Sequence, residues 1–511
     1  DRHKLDLFDG LCDQRIIFGG RIQAAIGSRR RVTAFNCYVS DTIRDSLVDG
    51  DASIMQVAFD AAKTLSMGGG IGFDFSPLRP RNAIISGLGS TSSGAVSFMA
   101  IFNAVAKTIK SAGHRRAAMM GVLRVDHPDI EEFIKAKRNA DDLSDFNISV
   151  GVTDEFMHAV LSDSMFDLRH GGKVYKTIRA LDLWEQIMQS TWDWAEPGVL
   201  FLDTINRMNN LYYCERLDTS NPCAEQPLPP NGACNLGALN LVKYVTYRAA
   251  FGTARFDWRK FKDDIHVAHR ALDRVIDLAI YPHESQKREA IAKRRVGLGI
   301  LGLANALELM GLRYGSDEFC AFTEKICRTL THESYWSSVQ LAVEKGPFPL
   351  FDREKYCQSA FIQTLDPLLQ KAIWERGVRN SHNNTCAPTG TGALTADNVS
   401  SGCEPPFSLE YDRLIFKSTG EQVTERVTDW LWRVHGIRGK TSQEISVNEH
   451  LNVLVAVQKY MDSAVSKTCN CGPNVKYEEF KDVYVQAWKR GAKGCTTFRP
   501  DGKRMGILKA A

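Results

Sequence analysis

The chain has 511 residues, of which 44% are hydrophobic and 24% charged, a globular balance that excludes a disordered or fibrous protein. Lys and Arg total 64 against 60 Asp and Glu, so the net charge of +4 gives no reason to expect a nucleic-acid partner. The longest apolar stretch, 296–312, is short and interrupted by polar residues, and we therefore expect no membrane partner and a cytoplasmic location.

Helical and strand-like patterns alternate along the chain, which predicts an α/β architecture. Apolar residues at helical spacing predict the helices, and short apolar runs predict buried strands. In chain order, we expect helices over 52–66 and 95–112, a helix starting near 126–128, strands over 146–152 and 198–202, and connecting structure over 348–371. The glycine-rich run 68–72 either ends the first helix or lets a ligand approach the backbone.

The thirteen cysteines include no CxxC pair, which predicts thiols in a reducing compartment and no metal site. Cys223 is the most informative of them, because four prolines between 222 and 230 exclude a helix around it. In an extended backbone, Asn221, Cys223 and Glu225 share one face. An amide, a thiol and a carboxylate on one face are suited to orienting hydroxyl groups, exchanging a hydrogen atom and taking a proton. A single cysteine in such a loop is more often structural, so the interpretation needs a second thiol.

That second thiol is Cys234, which begins the segment Cys-Asn-Leu-Gly-Ala-Leu-Asn eleven residues after Cys223. Together with Asn-Pro-Cys-Ala-Glu-Gln at 221–226, this segment resembles the finger loop of ribonucleotide reductases. The close spacing of the two cysteines is similar to the adenosylcobalamin-dependent branch, class II. The resemblance implies a ten-stranded α/β barrel with a central finger loop and flanking helices. It also implies two regions, an N-terminal helical or irregular segment over 1–30 without an ATP cone and the barrel domain over 31–511.

The resemblance further implies an activity, the reduction of ribonucleotides, with diphosphates favoured, to 2′-deoxyribonucleotides. Cys223 would be the thiyl radical that removes the ribose 3′ hydrogen, Glu225 would take the 3′-hydroxyl proton, and Asn221 would hydrogen-bond the substrate hydroxyls. Cys37 and Cys234 would supply the electrons while closing to a disulfide. A thioredoxin-type reductant would be a partner. No counterpart of the family's C-terminal cysteine pair follows, so either that tail is missing or reduction comes from elsewhere.

The resemblance also implies substrate, effector and dimer contacts. Residues expected to bind the substrate are Thr33, Ala34, Gly69, Ala387, Pro388, Thr389, Gly390 and Thr391. Asp45 and Ser46 would bind a deoxynucleotide effector, with the loops 81–94 and 138–146 helping to bind it and to relay its identity. The helices over 52–66 and 95–112 would form a homodimer.

Three rival functions remain open at this stage. One is a non-catalytic deoxynucleotide-sensing protein, and Cys223 and Glu225 argue against it. Class I reductases receive their radical from a separate subunit through adjacent tyrosines, and the matching place here, 495–498, has none. This absence favours adenosylcobalamin, with no histidine ligand to cobalt, over a class I large subunit. The pattern GxGxxG at 297–302 fits a dinucleotide-binding loop, but a charged run precedes it, which favours close helix packing over a nicotinamide-dependent dehydrogenase.

Overall fold

The computed structural model describes residues 2–85, 89–109, 118–139, 142–248, 252–416, 422–500, 502–503 and 509–510. Its helices are α1 (Arg2–Cys12), α2 (Gly20–Ala25), α3 (Ile54–Ser66), α4 (Ala95–Thr108), α5 (Ile130–Lys135), α6 (Asp154–Leu161), α7 (Ala180–Trp194), α8 (Leu202–Arg207), α9 (Trp258–Leu278), α10 (Glu284–Lys293), α11 (Leu303–Leu309), α12 (Asp317–Lys345), α13 (Arg353–Gln358), α14 (Pro367–Arg376), α15 (Gly390–Thr395), α16 (Trp430–His435), α17 (Val447–Gln458) and α18 (Tyr477–Lys489). Its strands are β1 (Ile16–Phe18), β2 (Cys37–Val39), β3 (Gly70–Asp74), β4 (Ile84–Ile85), β5 (Ser90–Thr91), β6 (Met119–Arg124), β7 (Phe146–Val152), β8 (Met165–His170), β9 (Lys173–Arg179), β10 (Gly198–Phe201), β11 (Thr219–Ser220), β12 (Pro227–Leu228), β13 (Ala233–Asn240), β14 (Val245–Arg248), β15 (Thr253–Phe256), β16 (Val296–Leu301), β17 (Glu410–Phe416), β18 (Gln422–Thr428), β19 (Thr468–Asn470), β20 (Gly494–Phe498) and β21 (Lys509–Ala510).

One large sheet organises the molecule and confirms the predicted α/β architecture. Ten strands join it in the order β1-β13-β2-β3-β6-β7-β10-β20-β19, with β16 also paired to β13. The five strands from β2 to β10 are parallel, while β13 and β20 pair with the two sides of this group in the antiparallel sense. Because parallel strands are buried on both faces, they carry the continuous apolar runs seen in the sequence.

A segment at 383–386 lies between the two edges of this sheet. The Leu298 N–H donates to the Asn383 carbonyl at 2.9 Å, which attaches the segment to β16. The Cys386 N–H donates to the Ala464 carbonyl at 3.1 Å, just before β19. The segment therefore lies between β16 and the part of the chain that leads into β19, the last strand in this order.

The hairpin formed by β11 and β12 packs directly on β3. A Cβ atom at Gly72 would lie 1.8 Å from the Ser220 carbonyl oxygen, so only glycine allows the two backbones to approach this closely. The Thr219 hydroxyl donates to the Phe73 carbonyl at 3.2 Å, next to this contact. The glycine-rich run is therefore approached at this point by the β11–β12 hairpin of the same chain.

Most predicted elements are confirmed, with boundary shifts. Helices α3 and α4 match the first two predictions, although part of 95–112 lies outside the described residues, and α5 begins at Ile130. Strand β7 has the predicted bounds, and β10 ends one residue early. The N-terminal segment 1–30 contributes β1 to the large sheet through β13, and the proposed division into two regions stays a prediction.

The prediction of connecting structure over 348–371 is wrong, because this region contains α13 and the first half of α14. Asp366 caps α14 with its side chain, and Pro367 occupies the first turn, a combination that typically starts a helix. Leu369 and Ile373 are buried in a separate hydrophobic cluster under this segment. Among the described residues, no helix combines the length and hydrophobicity needed to cross a bilayer.

Candidate active site

Two cysteines face each other across neighbouring strands. Cys37 begins β2 and is in register with Cys234 of β13, so the two side chains share one face of the sheet. Both are buried, with 1% and 0% exposure. Burial raises the pKa of the Cys37 and Cys234 thiols, so both are protonated at neutral pH. The structure thus brings together the two thiols predicted to form a redox pair.

The hairpin formed by β11 and β12, here called the finger hairpin, brings an amide and a carboxylate to this pair at its tip. The Asn221 Nδ2 donates to the Cys37 sulfur at 3.2 Å, and the Cys37 thiol donates to Glu225 Oε1 at 3.6 Å. The tip is a turn, since the Ala224 N–H donates to the Asn221 carbonyl at 3.0 Å and Ala224 has φ 64°. The prediction of an extended backbone here is wrong. Asn221 and Glu225 instead converge on Cys37 across the turn.

Glu225 is anchored through its backbone and leaves one carboxylate oxygen available. Its carbonyl accepts hydrogen bonds from the Thr385 hydroxyl at 2.8 Å and the Ala464 N–H at 3.0 Å. Its Oε2 atom is buried and accepts no hydrogen bond from the described residues. Burial raises the pKa of Glu225 above its usual value. A carboxylate in this environment is poised to take a proton from a group placed beside it.

Cys223 is exposed on the other side of the tip, where it lines a cavity of about 860 Å³. Other walls of this cavity come from the finger, the strands β10 and β20, β19 with the residues just before it, and the stretch from 388 to 411, including Pro222, Val199, Ser466, Lys467, Thr468, Thr496, Pro388, Gly390 and Glu404. Cys223 therefore lies at the boundary between a large cavity and the buried thiol pair.

The predicted phosphate loop connects these two environments. Ala387 packs in the small apolar cluster that contains Cys37 and Cys234, whereas Pro388 and Gly390 line the cavity. The Thr389 hydroxyl accepts a hydrogen bond from the Gly402 N–H at 2.8 Å. Gly390 and Thr391 are exposed at the start of α15. Their contact with a phosphate stays a prediction.

Two further predicted substrate residues, Thr33 and Gly69, lie beside Tyr38, the residue after Cys37. The Thr33 hydroxyl lies 2.5 Å from the Tyr38 hydroxyl, and a Cβ atom at Gly69 would lie 2.7 Å from the Tyr38 ring. Ala34 is buried at 1% exposure. The visible role of these residues is to hold β2, and their contact with substrate stays a prediction.

The predicted effector residues are engaged in local contacts. The Asp45 carboxylate pairs with Arg79 at 2.6 Å, and the Ser46 hydroxyl donates to Asp49 at 3.2 Å. The loops 81–94 and 138–146 each include residues outside those described, at 86–88 and 140–141. The effector roles stay predictions.

The glycines at 297 and 299 allow close packing on the large sheet. Gly297 and Gly299 lie inside β16, and a Cβ atom at Gly299 would be 2.2 Å from the Thr385 carbonyl oxygen. A Cβ atom at Gly297 would be 2.9 Å from Gln226 Nε2, at the tip of the finger. The expectation of close helix packing is therefore corrected to close packing of a strand against the finger and its neighbouring segment. A dinucleotide loop would instead follow its strand.

Two residues that position the finger were not found from the sequence. Thr385 holds the Glu225 carbonyl, as described above, and Asn147 Nδ2 donates to the Pro222 carbonyl at 2.8 Å. Thr385 lies in a run without a recognised motif, and Asn147 lies in the strand predicted over 146–152, so only the three-dimensional contact with the hairpin reveals their roles. Tyr213, in the adjacent pair Tyr212–Tyr213, donates its hydroxyl to the Leu350 carbonyl at 2.9 Å, in keeping with a packing role.

A cysteine at the tip of a finger hairpin, beside a buried dithiol and a carboxylate, defines a class of redox enzymes that work through thiols. The barrel-domain model of ribonucleotide reductases matches residues 35–498, and the chain belongs to this family. A vitamin B12-dependent ribonucleoside-diphosphate reductase of Mycobacterium tuberculosis (strain CDC 1551 / Oshkosh) is 33% identical over 505 residues, covering 93% of this chain and 69% of the relative. A protein of the same description from Thermoplasma acidophilum is 34% identical over 506 residues, covering 93% and 62%. A vitamin B12-dependent ribonucleotide reductase of Streptomyces clavuligerus is 29% identical over 584 residues, covering 98% and 60%.

Proposed function

We propose that this protein is a class II ribonucleotide reductase that converts ribonucleotides to 2′-deoxyribonucleotides with adenosylcobalamin as cofactor. The observation that carries the proposal is the convergence of Asn221 and Glu225 on Cys37, opposite Cys234 and one turn from Cys223. The names of the relatives support the cofactor and favour ribonucleoside diphosphates as substrates. The sheet supports a closed ten-stranded barrel around the finger, since the segment 383–386 bridges its two edges.

The cavity beside Cys223 fits a bulky cofactor. It has about 860 Å³ and a mixed lining of apolar side chains, hydroxyls and the Lys467–Glu404 pair. Adenosylcobalamin, when bound, supplies the oxidising radical that a cysteine cannot generate alone. Residues of β19, β20 and the finger tip, such as Thr468, Thr496 and Cys223, would hold it.

On the substrate side, Cys223 as a thiyl radical removes the 3′ hydrogen of the ribose. Glu225 accepts the 3′-hydroxyl proton through its available Oε2 atom, and burial has already prepared it for this role by raising its pKa. Asn221 hydrogen-bonds the hydroxyls. Cys37 and Cys234 then supply two electrons and close to a disulfide, which a thioredoxin-type reductant reopens.

The phosphates of the substrate bind where the segment 387–391 runs from the thiol pair to the cavity. Backbone N–H groups and hydroxyls at such a turn suit an anion, and Gly390 leaves open space around its backbone. Thr33, Ala34 and Gly69 complete this substrate site near β2.

A homodimer and an effector site complete the proposal. On and before α3, exposed apolar side chains form a patch suited to a second copy, comprising Leu47, Val48, Met55 and Phe59. Asp45 and Ser46 lie next to this patch in sequence and would bind a deoxynucleotide effector there. We place the reaction in the cytoplasm, where reduced thiols persist.

The decisive assay measures deoxycytidine nucleotide formed from cytidine diphosphate, in parallel with the triphosphate, with dithiothreitol and adenosylcobalamin. Wild type should form product only when the cofactor is present, and Cys223→Ser should lower the rate by roughly 10³-fold or more, because a serine hydroxyl does not replace the thiol in hydrogen-atom transfer. Cys214→Ser is the matched control, since Cys214 is exposed but does not line the cavity. Activity that requires a second protein instead of the cofactor would identify a class I large subunit.

A further inference from the structure

A third residue continues the row formed by the two buried thiols. Cys37 pairs with Cys234 on one side of β13, and on the other side Asn235 pairs with Val296 in parallel register. Continued by one residue, this register sets Cys234 opposite Arg295. Since residues opposite each other in a sheet point to the same face, the Arg295 side chain lies on the face that carries both thiols.

Arg295 is a buried cation held by two carboxylates. Its side chain is 3% exposed, and its guanidinium donates to Glu289 at 3.0 Å and to Glu215. Lys293 pairs with the same two carboxylates at 2.8 Å each. The position of the guanidinium is therefore fixed, as a charge that acts on a neighbouring group must be.

The charges around the two thiols are unequal. Burial raises the pKa of Cys234 and is the largest influence on it. The positive charge of Arg295 favours a negative charge on Cys234 and therefore acts to lower this pKa. Asp462 and Glu225 act to raise it, each more weakly than Arg295 acts to lower it. Around Cys37, the Glu225 carboxylate disfavours a negative charge and, after burial, is the largest influence that raises the pKa of this thiol. The Asn221 amide is the one polar donor to the Cys37 sulfur among the described residues, and it carries no charge.

We propose that Arg295 is a positioning residue that directs reduction of the Cys37–Cys234 disulfide, so that the incoming dithiol bonds to Cys37 and Cys234 is released. This inference rests on the proposed function, which forms the disulfide. The incoming thiolate bonds to the Cys37 sulfur, the Cys37–Cys234 bond breaks, and its electron pair leaves on the Cys234 sulfur, opposite Arg295. The Cys234 thiolate then takes up a proton. The second thiol of the dithiol attacks the mixed disulfide, loses its proton and releases Cys37 as a thiol. The dithiol is oxidised by two electrons and the enzyme disulfide is reduced by two.

The test traps the mixed disulfide. The full-length protein is oxidised by one round of turnover with substrate and adenosylcobalamin, then mixed with 2-mercaptoethanol, which cannot complete the second step within one molecule. Acid quenching, alkylation and peptide mass spectrometry locate the adduct. We expect it on Cys37 in roughly tenfold excess over Cys234, because the more acidic thiol is the better leaving group.

Removal of the cation should reduce this preference. Arg295→Gln combined with Glu289→Gln keeps the cluster neutral and should bring the adduct ratio towards one, with disulfide reduction about threefold to tenfold slower. Arg295→Lys should restore the ratio. Arg294→Gln with Asp277→Asn is the matched control, because Arg294 is equally buried but pairs with Asp273 and Asp277 instead of Glu215 and Glu289.

The possible results distinguish a failure of the role of Arg295 from a failure of the proposed function. A disulfide that forms during turnover but yields the adduct mainly on Cys234 in wild type overturns the role of Arg295 alone. An unchanged ratio in the folded Arg295→Gln, Glu289→Gln protein does the same. If turnover produces deoxynucleotide without any Cys37–Cys234 disulfide, the proposed source of electrons fails together with the inference.

Discussion

The two sides of the finger hairpin differ in solvent access and in how firmly their groups are held. On one side, Cys37, Cys234 and Glu225 are buried, and each has defined partners. On the other side, Cys223 is exposed on a cavity of about 860 Å³. A single turn of backbone separates them, which lets one loop serve two environments.

This difference suggests a division of labour within the proposed reaction. An exposed thiol beside a large cavity is accessible to a cofactor, whereas buried thiols are protected from unwanted oxidation and keep their protons. Groups that handle protons and electrons lie on the dry side, where their charges are least screened. The predictions below test whether the two sides can be separated by substitution.

The largest expected effect separates the dithiol from the radical thiol. Cys37→Ala should lower deoxynucleotide formation by roughly 10³-fold or more, because one thiol cannot supply two electrons by closing a disulfide. Cys223 remains intact, so tritium at the ribose 3′ position should still be released to solvent through exchange of its thiol proton. Both quantities are measured in one reaction with 3′-tritiated substrate.

Cys327→Ala is the matched control for removing a buried thiol, since Cys327 is equally buried in α12. It should preserve both product formation and tritium release. Loss of tritium release in Cys37→Ala would show that the two sides of the finger do not act independently.

A smaller effect is expected for the proton acceptor. Glu225→Gln should lower turnover by about 10²- to 10⁴-fold, the range typical of a general base. In wild type, burial raises the pKa of Glu225 above its usual 4.5, so activity should rise with pH as the carboxylate ionises, and this limb should be absent from the variant. The measurement is kcat against pH with saturating substrate.

The same substitution gives a stability test of known sign. Because the pKa of Glu225 is higher in the folded state, the folded protein binds this proton more tightly than the unfolded chain does. The resulting contribution to the free energy of unfolding is fully present below about pH 4.5 and is lost as the pH rises through the folded-state pKa. Relative to Glu225→Gln, wild type should therefore melt at a progressively lower temperature above pH 4.5. A constant difference in Tm across this range would mean that the carboxylate is not buried as described.

The sequence predicted the chemistry of this site better than its shape. Asn221, Cys223 and Glu225 were found because their residue types and spacing are unusual in a proline-rich loop. Their arrangement in a turn was not, because a left-handed Ala224 leaves no compositional signal. Long-range partners such as Thr385 were invisible for a related reason, since 160 residues separate it from the carbonyl that it holds.

In the fold, local sequence signals predicted the elements with a strong hydrophobic pattern and missed elements that are short. Strand β7 was predicted at its observed bounds from a short, largely apolar run. Helices α13 and α14 were missed, although Asp366 and Pro367 carry a start signal, because α13 is only six residues long and α14 only ten. The function of the glycine at 72 depended on a hairpin almost 150 residues further along the chain, which no local pattern specifies.

Gly72 provides the smallest and most geometric test of how the finger is held. Gly72→Ala introduces a methyl group 1.8 Å from the Ser220 carbonyl oxygen, a backbone atom that cannot move without shifting the hairpin. We expect a loss of about 1–3 kcal/mol in the free energy of unfolding, the usual cost of overpacking, measured by denaturant titration. Turnover should fall further than stability accounts for, because an ångström of displacement at the tip affects Cys223 and Glu225 together. Gly472→Ala is the control, since its Cβ atom would lie 3.4 Å from the nearest backbone oxygen. If Gly72→Ala retains full turnover, the position of the finger does not depend on its contact with β3. In that case the turn at 221–225 is sufficient to separate the cavity beside Cys223 from the buried thiol pair.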